Sequence, residues 1–244
     1  MSYLGYIKAI FEGYPLPSEP VVLEIGIDQG HSTLSIVQNL ASRFEKSVYF
    51  GCDIRVEQRV FEQLINFKNV SLEGIETFKE LKQGCHVFGY ESNSLMWLKE
   101  MTPDWLNKKL GLIDIAFVDG DHNYYTVSNE LRMLKRLIKP ESIIVCDDYN
   151  GKWSTRDGFY SEVSTHKDIG IATQRVDLEK KGVKPAVIDF LGENPEWKCW
   201  THPDVDPAIL YRRDVWEDVI LPRKDFELFS RCKFEFTRRK TENV

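Results

Sequence analysis

The chain has 244 residues, 42% of them hydrophobic and 12% aromatic, with a formal net charge of −6. That is enough apolar side chain for one large core, and an acidic balance without a long basic run disfavours a nucleic-acid groove. No apolar stretch reaches the ~18 residues of a membrane span, and the first twenty residues lack the basic region and long apolar run of a signal peptide, so a cytoplasmic setting is expected.

Five cysteines, Cys52, Cys85, Cys146, Cys199 and Cys232, are odd in number and lack CxxC spacing. Reduced thiols fit this better than a disulfide framework or a zinc site. In chain order, VVLEIG (21–26) reads as a buried strand. HSTLSIVQNLASRF (31–44) reads as a helix, with Leu34, Val37, Leu40 and Phe44 at helical spacing and Ser32 as its N-cap. SVYFGCDI (47–54) is a second strand, VEQRVFEQLINF (56–67) a second helix, CHVFGY (85–90) a third strand and SLMWLKEM (94–101) a short helix. LIDIAFVDG (112–120) is the fourth strand, YTVSNELRMLKRL (125–137) its helix and SIIVCDD (142–148) the fifth strand. This alternation predicts an α/β fold with a doubly wound, mostly parallel, Rossmann-like sheet. Right-handed crossovers then bring all the strand ends to one ligand-binding edge.

Beyond Asn150 the periodicity loosens. Residues 151–184 are polar and glycine-dotted, and read as an excursion over that edge, a lid in character. AVIDFLGENP (186–195) looks helical, and EWKCWTH (196–202) with CKFEFT (232–237) reads as a late antiparallel pair completing the sheet. Arg238-Arg239-Lys240 reads as a solvated tail. A single domain over 1–244 is expected, with a cofactor-binding core at 20–150, an acceptor or lid region at 151–207 and a sheet-completing part at 208–244.

The first turn, LEIGIDQGHS, carries Glu24, Gly26 and Gly30. A dinucleotide fingerprint counted from Gly26 needs glycine at 28 and 31. Those positions are Asp28 and His31, and a carboxylate beside a pyrophosphate would repel it. Asp53 ends the second strand, where an acid can accept from two ribose hydroxyls of any adenosine cofactor. The fourth strand ends at Asp119 and the fifth at Asp147-Asp148, on strands ~4.8 Å apart if adjacent. Three such carboxylates would raise one another's pKa values, and an all-oxygen set suits Mg²⁺, Ca²⁺ or Mn²⁺. His122, three residues past Asp119, is a candidate general base.

The acid in the strand followed by G-x-x-x-G resembles the first motif of class I S-adenosylmethionine-dependent methyltransferases. D-G-x-H after the fourth strand with D-D-Y after the fifth is similar to the VDGDHxY methyltransferases and to metal-dependent O-methyltransferases of macrolide sugars. The likeness covers roughly residues 20–150. It implies Glu24 near the cofactor amine, Gly26 and Gly30 beneath its amino-acid part, and Ser32 as a donor to its carboxylate. It also implies Asn93 and Ser94 bordering adenine, Asp119 beside both cofactor and metal, and Mg²⁺ on Asp119, Asp147 and Asp148. The loop before the fifth strand departs from the group's Pro-Gly-Gly, with Pro140-Glu141-Ser142 in its place. The expected activity is methylation of a hydroxyl on a small sugar- or phenol-like acceptor, with His122 as base. The expected partners are that acceptor, no nucleic acid and no membrane, and self-association is left open. A non-catalytic binder of the same cofactor and an NAD-dependent oxidoreductase are the other readings of such a sheet.

Overall fold

The computed structural model describes residues 3–72, 83–220 and 233–239. Seven helices and ten strands follow among them: α1 (Tyr3–Gly13), β1 (Val21–Ile25), α2 (His31–Arg43), β2 (Lys46–Asp53), α3 (Gln58–Leu64), β3 (Val70–Leu72), β4 (Gly84–Glu91), α4 (Ser94–Glu100), α5 (Pro103–Lys109), β5 (Ile113–Val118), α6 (Tyr124–Leu134), β6 (Ile138–Cys146), α7 (Val183–Glu193), β7 (Trp197–His202), β8 (Val205–Arg212), β9 (Trp216–Ile220) and β10 (Glu235–Arg238). Cys232 and Lys240 lie outside the described residues, and the other four cysteines are free thiols. No described helix is long and apolar enough to cross a membrane.

Eight strands make one sheet in the order β3-β4-β2-β1-β5-β6-β8-β7. The first six strands in the chain pair in parallel, and β8 lies antiparallel to both β6 and β7. This is the doubly wound, mostly parallel α/β sheet that the sequence predicts. Every residue of β1 is buried, as expected of a central strand covered on both faces. Its side chains alternate between two cores. Val21, Leu23 and Ile25 pack with residues of α4, α5, α6 and α7, including Leu98, Leu106, Leu131 and Val187. Val22 packs on the other face with α1, α2 and α3, through Ile7, Ile36 and Leu64 among others.

The late antiparallel pair is corrected in its partner. β7 forms as expected but pairs with β8, while β10 pairs with β9 as a separate two-stranded ribbon. Pro207 hides β8 from a pattern reading, because proline cannot donate to a ladder. The structure accommodates it ahead of Ala208, where pairing with β6 begins, and within the register shift against β7. Helix α1 and the three-residue β3 carry no sequence prediction at all.

Candidate active site at the strand exits

Backbone hydrogen bonds join the exits of five adjacent strands. Ser92 N–H donates to Asp53 O (2.8 Å), Gly26 N–H to Cys52 O (2.9 Å), Asp119 N–H to Ile25 O (2.8 Å) and Asp147 N–H to Val118 O (3.0 Å). The predicted site residues therefore stand in a row along one edge, from Asn93 to Asp148. Gly26 has φ 93°, and a Cβ there would come within 2.0 Å of the Asp119 carbonyl oxygen. Glycine at this position lets β1 and β5 close up. Gly30, at φ 79°, is the N-cap of α2, where a Cβ would meet Val60 at 2.5 Å. The expected cap, Ser32, is instead the second residue of that helix, and its hydroxyl serves Glu24.

Glu24 is fully buried beneath α2, not turned into the crevice. It accepts from Thr33 Oγ1 (2.6 Å) and from the Tyr49 hydroxyl. Burial pushes its pKa up to about 7, against the pull of the Ser32, Thr33 and Tyr49 hydroxyls. Asp53 Oδ2 accepts the amides of Ile27 (2.6 Å) and Asp28 (3.0 Å), and Oδ1 that of Arg55 (3.0 Å). These bonds hold Asp28 in its left-handed turn at φ 42°. Asn93 caps α4, accepting from Leu95 N (3.0 Å) and Met96 N (3.3 Å), while its amide donates to Ile171 O (3.0 Å) and Thr173 Oγ1 (2.9 Å). Ser94 donates to Glu130 Oε1 (2.6 Å). Glu130 is fully buried, which pushes its pKa up to about 8.

At the other end of the row, the His122 ring stands between two carboxylates, with Nε2 3.8 Å from Asp119 Oδ1 and Nδ1 3.5 Å from Asp148 Oδ2. Burial lowers its pKa to about 4. The two carboxylates, when ionised, act the other way, so the ring is neutral at rest and its cation is stabilised once formed. Asp147 is bonded by the Tyr6 hydroxyl of α1 (3.1 Å) and lies beside Asp119. Burial, then Asp206 and Asp148, push the Asp147 pKa up. Asp206 of β8 reaches the same place. A Cβ on Gly151 would lie 2.2 Å from Asp148 Oδ1 and 2.5 Å from Asp206 Oδ2.

The profile of a methyltransferase domain family matches residues 23–149, from β1 to just past the exit of β6. The chain belongs to this family. Its sheet is that of a class I S-adenosylmethionine-dependent methyltransferase domain. Protein R132 of Acanthamoeba polyphaga mimivirus is 27% identical over 140 residues, covering 51% of this chain and 62% of the viral one. Among solved structures, the MycE methyltransferase of mycinamycin biosynthesis, in complex with Mg, S-adenosylhomocysteine and mycinamycin VI, is 15% identical with a TM-score of 0.43. The match covers 80% of this chain and 45% of that one. CalS11, a TDP-rhamnose 3′-O-methyltransferase of calicheamicin biosynthesis, is 13% identical with a TM-score of 0.49, covering 85% of this chain and 78% of that one. The chain thus spans less than two thirds of the viral relative and of MycE.

In the methyltransferase domain a crevice runs between Gly26, Asp53, Asn93, Ser94 and Gly120. It keeps only about 20 Å³ free, room for about one water. Tyr160, in a 3₁₀ turn at Tyr160–Glu162, lines it. Burial raises the phenol's pKa, helped by Asp119, Asp53, Asp121 and Asp28 around it. The segment is pinned there. His122 and Gly158 exchange backbone bonds (3.1 and 2.9 Å), and Asp121 Oδ1 accepts Tyr160 N–H (2.8 Å). Sequence reasoning missed Tyr160, Asp121 and Asp206. The second acid of VDGDH was the one available signal, and it pointed to Asp121. Nearby, the Tyr124 hydroxyl bonds Asp189 Oδ2 (2.6 Å) and Trp153 lies against Gly158. Among the described residues, no three His, Cys, Asp or Glu side chains are grouped as a metal site as they stand. Asp119, Asp147 and Asp148 stand at the neighbouring exits of β5 and β6, and their like charges and oxygen-only chemistry are of the kind that a hard divalent cation takes.

Proposed function

We propose that this domain transfers the methyl group of S-adenosylmethionine to a hydroxyl oxygen of a small sugar- or phenol-like acceptor, with neither nucleic acid nor membrane as partner. The observation that carries the reading is His122, a partly buried neutral imidazole between Asp119 and Asp148, next to the crevice bordered by Gly26, Asp53, Asn93 and Ser94. S-adenosylmethionine supplies an electrophilic methyl on a sulfonium. Asp53 and the turn at Gly26 would border its adenosyl end, with Tyr160 lining the same crevice. Asp119, Asp147 and Asp148 would hold Mg²⁺, which supplies the positive charge that makes an acceptor hydroxyl more acidic.

His122 takes the hydroxyl proton on a ring nitrogen, and the imidazolium is held between the Asp119 and Asp148 carboxylates. The freed oxygen attacks the methyl carbon in line. The carbon–sulfur bond breaks, and its electron pair stays on the sulfur of S-adenosylhomocysteine. His122→Ala should cut product release, assayed over a panel of sugars and phenols, by about a hundredfold or more, with S-adenosylhomocysteine affinity unchanged. Equal turnover would remove His122 from the reaction. EDTA should stop turnover and Mg²⁺ restore it; full activity in EDTA would leave the three aspartates as scaffolding.

A further inference from the structure

A second cavity, of about 340 Å³, opens beside the crevice and meets it at Ser92. Its wall is made by Tyr90 at the end of β4, Trp97 of α4 and Trp105 of α5. These rings splay around Phe50. Their centroids lie 6.2, 6.3 and 6.5 Å from the Phe50 centroid, at interplanar angles of 35°, 62° and 48°. Tyr90 and Trp97 are themselves 5.0 Å apart and tilted by 39°. The three rings, tilted rather than stacked flat, line the cavity with Met101. Glu91 and Glu100, both exposed, add two carboxylates to the lining, Glu91 Oε2 also accepting Val56 N–H (3.2 Å). No lysine or arginine is among the described lining residues.

An aromatic lining that includes two carboxylates matches one ligand chemistry. Ring faces attract positive charge through their quadrupole, and the carboxylates add direct attraction. A neutral apolar guest would gain only the rings and would partly dehydrate both carboxylates without return. We propose that this cavity binds an organic cation, a quaternary ammonium or alkylated ammonium group, at a site separate from the methyl-transfer crevice. None of its charged or aromatic walls belongs to the row from Asp53 to Asp148, so it can fill independently of the cofactor.

The test is titration of the full chain with choline chloride, against potassium chloride at equal ionic strength and against the neutral isostere 3,3-dimethylbutan-1-ol. Binding is read by tryptophan fluorescence and calorimetry. Saturable binding of choline is expected, with the isostere at least about tenfold weaker. The double variant Glu91→Gln, Glu100→Gln, at exposed positions where folding is not at stake, should weaken choline about tenfold as well. A circular-dichroism melt matching the parent confirms that the variant is folded. Equal binding of the isostere, no saturation by choline, or an undiminished choline affinity in the double variant would each overturn the proposal.

Discussion

Tyr160 lines the crevice together with Gly26, Asp53 and Asp121, and burial, with carboxylates around it, raises its phenol pKa. A ligand that needs the space of its ring binds only the fraction of molecules in which the ring is out, and its apparent affinity falls by that fraction. Tyr160→Ala should therefore speed S-adenosylhomocysteine binding about tenfold in stopped-flow tryptophan fluorescence; an unchanged rate would show that the ring does not obstruct. At this scale the acidic end of the site was readable in the sequence. Asp119, His122, Asp147 and Asp148 follow apolar strands directly, and a parallel sheet sends all such residues to one edge. Tyr160 and Asp206 lie in stretches without periodicity. Long-range bonds set their positions, Tyr160 N–H to Asp121 and Asn150 N–H to Asp206 O (3.0 Å), and no local pattern records such bonds. Glu24, Ser32 and Asn93 are also engaged within the protein, through bonds that a strand or helix pattern does not record.

Among the elements, α4 and α6 are joined by a buried carboxyl. Ser94 donates to Glu130, whose second oxygen has no partner and whose pKa burial raises from 4.5 to about 8. A raised folded pKa means that the folded state holds the proton more tightly. The associated stability is complete below pH 4.5 and is lost as pH rises through about 8. Glu24 adds to the same trend up to about pH 7. Glu130→Gln cannot ionise, so its melting temperature should vary less between pH 5.5 and 9 and exceed that of the parent at pH 9, by on the order of 3 kcal/mol in stability. An unaltered pH slope would place the proton elsewhere. Helices α2, α3, α4, α6 and α7 and the central strands were legible because their apolar spacing is set by the two cores they serve. β3 has no such signal, being three residues long and only partly buried. β8 was concealed by Pro207, which the register shift absorbs.

For the whole molecule, the parallel pairing of β1, β2, β4, β5 and β6 followed from alternation alone, while the antiparallel edge and the separate β9–β10 ribbon depended on which late strand found which partner. A ligand that binds only the folded chain stabilises it by mass action. S-adenosylhomocysteine at about 100 times its Kd should contribute about 2.7 kcal/mol, a rise of a few degrees in Tm, and NAD should contribute none. A larger shift with NAD would reverse the reading of the glycine turn. The bridge between His122 and Gly158 ties two parts of the site together. The main chain that carries His122 also fastens the segment carrying Tyr160. A substitution that loosens either residue is therefore felt at the other.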